Sequence, residues 1–170
     1  MIRKATSEDK TQIMSIIHSA QEALRELGID QWQDGYPRIE DINEDIRQGV
    51  GYVVTNGDYV LGYVAIVLAG EPAYEQIADL WRTSDKYVVV HRLCVDGSAR
   101  RQGIALRLMQ HAAHIAREHG ISAFRIDTHK GNIRMLGMIE RLGFSHVGKI
   151  VYESGEREAY ELNLGLSNTL

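Results

Sequence analysis

At 170 residues the chain is long enough for one domain with a sizeable core, and 44% hydrophobic with 25% charged residues is the composition of a globular protein. A formal net charge of −4, with the signs interspersed and no Lys/Arg block, excludes duplex nucleic acid and anionic membrane as expected partners. The N-terminal stretch lacks the apolar core of a secretion signal and Cys94 is the single cysteine, so the expectation is a reducing cytoplasm.

No repeat, low-complexity run or linker interrupts the chain, which predicts one domain over residues 1–165 and a tail at 166–170. Thr6 or Ser7, with Asp9 close behind, can cap a helix in which Ile13, Ile16, Ile17, Ala20 and Leu24 repeat at helical spacing until Gly28. After a loop over 29–38, a second helix is predicted over 39–48, stopped by Gly49. Residues 50–55 and 59–67 are β-branched and aromatic and flank Asn56-Gly57-Asp58, a hairpin signal because Asn-Gly tolerates positive φ.

A buried strand over 86–95 leads through Asp96-Gly97-Ser98 into a helical segment over 100–119, striped by Ile104, Leu108, Ala112, Ile115 and Ala116. A strand over 122–128 and a helix over 133–142 follow, then strands over 145–153 and 157–164 around a Ser154-Gly155-Glu156 turn. The order α-α-β-β-β-α-β-α-β-β predicts an α/β (α+β) domain, a mixed sheet carrying helices on its faces.

Arg100-Arg101-Gln102-Gly103-Ile104-Ala105 lies where the helix over 100–119 begins. Free N–H groups, the helix dipole, a permissive glycine, small Ala105 and two arginines together suit a pyrophosphate. The same letters also fit a plain helix start with two solvated arginines. No P-loop Lys-Ser/Thr and no three-glycine dinucleotide fingerprint is present.

Arg100-x-x-Gly103-x-Ala105 resembles the Gln/Arg-x-x-Gly-x-Gly/Ala motif of the GNAT superfamily of N-acetyltransferases, in its place between the family's fourth strand and third helix. Asn132-Ile133-Arg134-Met135, followed by Arg141-Leu142-Gly143-Phe144, resembles that family's fourth helix and its Gly-Phe ending, and the element order agrees over residues 1 to about 165. The resemblance implies a mostly antiparallel seven-stranded sheet, helices on both faces, and a splay between strands 4 and 5. It implies acetyl-CoA as cosubstrate, with pantetheine beside Leu93, Cys94 and Val95. The pyrophosphate would rest on Arg100, Arg101, Gln102, Gly103, Ile104 and Ala105, with Asn132 and Met135 near the pantetheine arm. The acceptor would be a small-molecule, peptide or protein amine, homodimers being frequent in the family; no metal is implied. An acyl-CoA-binding regulatory module without useful transfer is the alternative, because the position seven residues after Asn132, often a tyrosine acid in the family, is Ile139.

His91 interrupts an apolar strand. It is read either as a hydrogen-bonded structural histidine or as the general base, which the family tends to place on this strand. Regular alternation would put it on one face with Val89, Leu93 and Val95, and send Arg92 and Cys94 to the other. On that reading Arg92 pairs with a carboxylate, Asp127 being one candidate, and Cys94 is structural. Tyr152 is a substitute acid. His129, after Asp127-Thr128, borders the acceptor cleft or merely enters a loop. Trp32, Tyr36, Tyr74 and Trp81 are four aromatics in loop-like stretches, and they either line the acceptor side or staple long connections to the sheet. His111 and His114, three apart on one helix, lack a third ligand and read as a solvated face.

Overall fold

The computed structural model describes residues 1–83, 86–165 and 170, and among these residues are seven strands and four α-helices. In chain order these are β1 (Ile2–Lys4), α1 (Lys10–Glu26), α2 (Ile39–Gln48), β2 (Gly51–Asn56), β3 (Tyr59–Val67), β4 (Tyr87–Val95), α3 (Ile104–Glu118), β5 (Ala123–Thr128), α4 (Ile133–Arg141), β6 (Ser145–Tyr152) and β7 (Gly155–Asn163). The tail predicted at 166–170 lies, but for Leu170, outside the described residues.

Local chemistry sets most of the element ends. The Asp9 carboxylate accepts from the Thr6 N–H at 2.8 Å and the Thr6 hydroxyl at 3.1 Å, and it pairs with Arg3 at 2.7 Å, tying β1 to the start of α1. Gly28, Gly49 and Gly57 take φ of +73, +67 and +58, the left-handed geometry that ends α1 and α2 and turns the β2–β3 hairpin. Two elements have no strong local signal. β1 is three residues long and exists by pairing Ile2, Arg3 and Lys4 with Val54, Val53 and Tyr52 of β2. A 3₁₀ stretch, Pro72–Leu80, is broken at Ile77 (φ −127) and so carries no 3.6 period.

The sheet order is β1-β2-β3-β4-β5-β7-β6, and every pairing is antiparallel except β4 with β5. That parallel pairing runs only from Tyr87↔Ala123 to Val89↔Arg125; beyond it both strands continue and separate. α3 and α4 cover one face through Leu108, Met109, Ala112, Ala116, Ile139 and Leu142, packed on Val64, Val88, Val90 and Phe124. On the other face α1 and α2 cover Val53, Tyr63 and Cys94 with Ile13, Ile17 and Ile42, while the 3₁₀ stretch lays Tyr74 on Tyr87, Val89 and Ile150.

β4 is not regular. Tyr63↔Cys94 and Ala65↔His91 are successive pairings on either side of Val64, so Arg92 and Leu93 together oppose one residue of β3, a β-bulge with Arg92 at φ +59. The bulge reverses the alternation. Leu93 and Val95 pack with the α3 layer, whereas Cys94 packs against Tyr63 under α1. The expected grouping of His91 with Leu93 and Val95 is therefore corrected: beyond the bulge His91 shares its face with Cys94.

Candidate active site

The mouth of the splay is built by the turn between β4 and α3. Asp96 closes it, its carboxylate accepting from the Ser98 N–H at 2.9 Å. Arg101 and Gly103 then take φ of +63 and +74, and α3 starts only at Ile104, so Arg100–Gly103 precede the helix rather than belonging to it. Positive φ at alternate residues turns successive N–H groups to one side, the geometry of an anion nest, which continues into the unpartnered amides of the first turn of α3. A Cβ at Gly103 would meet nothing within 4 Å, so the requirement there is the left-handed backbone and not a crowded neighbour. Arg100, Arg101 and Gln102 are exposed, with the Gln102 amide donating to Ser98 O at 3.1 Å.

Beyond the end of β5, Asn132 caps α4: its Oδ1 accepts from the Met135 N–H at 3.2 Å, and Met135 is half-buried against the α3 layer. Ile139 is 1% exposed in that layer, an aliphatic plug with no proton to give. Thr128, last in β5 and by alternation on the α4 side, is also 1% exposed, and its Oγ1 meets no hydrogen-bond partner among the described residues.

Across the sheet, on the face of α1 and α2, ionisable groups converge. His91 Nε2 lies 3.2 Å from Glu71 Oε2. Glu71 is fixed on two further sides: its N–H donates to the Tyr87 hydroxyl at 2.8 Å and its Oε1 accepts from the Ala73 N–H at 3.0 Å. Burial opposes its charge, but the neighbouring His91 and the Ala73 N–H outweigh burial and hold the Glu71 carboxyl below its ordinary range. Asp127 Oδ2 accepts from the Tyr74 hydroxyl at 2.9 Å and the Tyr152 hydroxyl at 3.1 Å. Burial pushes the Asp127 carboxyl up, against the opposing pull of His91 and the two hydroxyl bonds. Arg92 engages Asp45 at 2.9 Å, with Asp41 at 3.9 Å and the Tyr36 ring centroid at 5.3 Å, and the Tyr63 hydroxyl donates to Asp45 at 2.6 Å. Arg92 thus does pair with a carboxylate, but its partner is Asp45 and not the candidate Asp127, because the bulge directs Arg92 toward α2.

Several expected residues stand in this cleft. Tyr36 is half-buried and its hydroxyl is pushed up to about 12, chiefly by burial. Tyr74 and Tyr152 both point their hydroxyls at Asp127, and burial with that carboxylate drives Tyr152 far above an ordinary phenol. Trp32, at φ +64, packs against the α1 layer, and its loop is tied to α1 by Gln21 Nε2 donating to Tyr36 O at 3.0 Å. Trp81 sits on the outer side of Tyr74, ring centroids 5.0 Å apart, donates its indole N–H to Tyr74 O at 3.1 Å and stacks on Arg125 at 4.2 Å. Those are stapling contacts. His129 accepts the Gly131 N–H at 2.9 Å on Nδ1 and faces Asp30 at 3.5 Å through Nε2, in the turn that leads into α4. Cys94 is buried, which pushes its thiol up to about 12. Its inertness therefore comes from burial, although it shares the His91 face. Glu71 carries no signal in the sequence: an acidic residue before Pro72 has no distinguishing pattern, and only the fold carries it to His91.

The comparisons with known proteins agree with this architecture. A profile of the acetyltransferase (GNAT) family matches residues 15–144. A GNAT-family acetyltransferase of Streptococcus agalactiae is 31% identical, with a TM-score of 0.85 over 96% of this chain and 94% of that one. At 16% identity, where the likeness speaks for the fold alone, the PaiA N-acetyltransferase of Thermoplasma acidophilum, solved in complex with coenzyme A, superposes with a TM-score of 0.73 over 96% of this chain and 98% of its own. GCN5-related N-acetyltransferase 6, chloroplastic, of Arabidopsis thaliana is 34% identical over 79 residues, 46% of this chain and 27% of the plant protein, so the match spans about a quarter of that relative. The chain belongs to the GNAT acetyltransferase family and is an acyltransferase of that fold.

Proposed function

We propose that residues 1–165 act as a single domain that transfers the acetyl group of acetyl-CoA to a primary amine by direct attack. The observation that carries this reading is the parting of β4 and β5 after Val89 and Arg125, with an N–H-rich turn at its mouth and the Glu71–His91 pair on the opposite face. Acetyl-CoA supplies an activated thioester, and the residues present suit it. The nest over Arg101–Ala105 would take the pyrophosphate, helped by the Arg100 and Arg101 charges. The edge of β4 that has parted from β5, at Leu93, Cys94 and Val95, offers main-chain groups to the pantetheine amides. Asn132, Met135 and the unpartnered Thr128 hydroxyl stand by α4 beside that arm.

On the acceptor side, Tyr36, Trp32 and Tyr74 bound a cleft in which His91 takes the amine proton. An amine with a pKa of about 10.4 is only about 10⁻³ neutral at pH 7.5, so attack costs roughly 4 kcal/mol unless a base removes the proton. A thiol leaving group with pKa of about 8.5 is a far better anion, so the aliphatic Ile139 is tolerable. Tyr152 holds Asp127, and its raised pKa makes it a poor acid. Ile139 is also what favours the second reading, an acyl-CoA-binding module with little turnover. A thiol-release assay with acetyl-CoA and a panel of small, peptide and protein amines separates the two: release that depends on an amine supports transfer, whereas tight binding without release on any amine supports the module.

A further inference from the structure

A base needs its lone pair on a particular atom, and in a neutral imidazole the nitrogen that carries hydrogen cannot serve. We propose that Glu71 is a positioning residue that fixes the tautomer of His91, holding hydrogen on Nε2 so that Nδ1 is the nitrogen that accepts the amine proton. The proposal rests on His91 being the base.

The geometry argues it in three steps. An ionised carboxylate has no hydrogen to give, so at 3.2 Å from Glu71 Oε2 the Nε2 atom is the nitrogen on which that negative charge favours hydrogen, by proximity of charge rather than by an aligned hydrogen bond. Glu71 cannot turn away, because its other oxygen takes the Ala73 N–H at 3.0 Å and its own N–H is held by the Tyr87 hydroxyl at 2.8 Å. Among the described residues the other carboxylates near His91 are engaged elsewhere: Asp127 of β5 is occupied by Tyr74 and Tyr152, and Asp45 of α2 is occupied by Arg92 and Tyr63. In the proton transfer the amine N–H bond breaks, its electron pair stays on the amine nitrogen, and the proton joins Nδ1. The resulting imidazolium faces the Glu71 carboxylate, and its proton leaves to water.

Two substitutions separate this role from a merely structural one. Glu71→Gln keeps an oxygen for the Ala73 N–H, which turns its NH₂ toward His91. Nε2 must then accept, hydrogen moves to Nδ1, and the basic nitrogen is lost. Glu71→Ala removes the cap but frees both tautomers. The expected order is therefore inverted from that of a capping residue: Glu71→Gln loses kcat by about 10²–10⁴-fold, the general-base range, while Glu71→Ala loses less. Nitrogen NMR of the free protein, labelled in histidine and assigned with His91→Ala, should show neutral His91 protonated on Nε2 in the wild type and on Nδ1 in Glu71→Gln. Wild-type His91 protonated on Nδ1, or Glu71→Gln at least as active as Glu71→Ala, overturns the proposal. The wild-type spectrum decides even if a variant fails to fold. His91→Ala retaining more than about a third of kcat falls outside the general-base range and overturns the base role itself, a failure distinct from a wrong tautomer.

Discussion

Gly62 of β3 and Ile104 in the first turn of α3 touch so closely that a Cβ on Gly62 would lie 2.7 Å from Ile104 Cγ2 and 3.1 Å from Cys94 O. The glycine therefore sets how near the start of α3 sits to the end of β4 that has parted from β5. Gly62→Ala should cost about 1–3 kcal/mol, the usual range for overpacking, and weaken CoA binding with it. Chemical denaturation and calorimetry read the two effects. A variant that is destabilised yet binds CoA as the wild type does would uncouple α3 from the nest.

The nest can be tested at its own residues. Gly103→Val places a β-branched side chain at φ +74, which it strongly resists, and Arg100→Ala with Arg101→Ala removes charge-assisted bonds of about 1.5–3 kcal/mol each. Either change should raise the CoA Kd at least about tenfold. Unchanged affinity in a folded variant puts the pyrophosphate elsewhere.

Asp127 gives a pH signature. Its folded pKa is raised, so the folded state holds the proton more tightly than the unfolded one, and stability rises as pH falls through that raised value toward the ordinary carboxyl pKa of about 3.9. An amide oxygen in place of Oδ2 can still accept from Tyr74 and Tyr152. Asp127→Asn should match or exceed wild-type stability at pH 8 and lose that rise on acidification. Asp9 and Glu71, held below their ordinary range, contribute the opposite slope to both proteins and cancel in the difference. A clearly lower denaturation midpoint for the amide at pH 8 would show that the charge is not the costly form.

Tyr36 and Trp81 should separate the two roles open to the loop aromatics. Tyr36 faces Arg92 in the cleft, whereas Trp81 braces Tyr74 and Arg125 from outside. Tyr36→Ala is expected to raise the acceptor KM more than the acetyl-CoA KM; Trp81→Ala is expected to lower thermal stability first. The reverse pattern would exchange their assignments.

Cys94, with its thiol pushed up to about 12, is about 10⁻⁴ ionised at pH 8. A disulfide reagent should leave the folded protein unmodified and titrate one thiol after denaturation. Rapid labelling of the native protein would contradict the burial under α1.

The elements legible from sequence are those whose ends carry their own chemistry. α2 ends where Gly49 turns left-handed, and β3 begins where Gly57 and Asp58 close the hairpin. β1 is not legible because three residues have no period and their stability comes from a partner about fifty positions away. The 3₁₀ stretch is not legible because its kink at Ile77 breaks any repeat. The nest residues could be read because a motif in consecutive letters forms them. The Glu71–His91 and Arg92–Asp45 pairs could not, because each joins distant segments and an arginine at φ +59 has no signature in the letters.

The bulge at Arg92 has a consequence for how this site can diversify. In an evenly pleated strand, neighbouring residues face opposite layers, and an ionisable residue at 91 or 92 would be forced into the oil beneath α3. Here both side chains meet the cleft, while Val88, Val90, Leu93 and Val95 keep the other layer apolar along the whole strand. Mutation at two consecutive codons can thus rewrite the charge presented to an acceptor without disturbing the packing on which the helix rests, whereas losing one codon there would turn the strand's last three residues inside out.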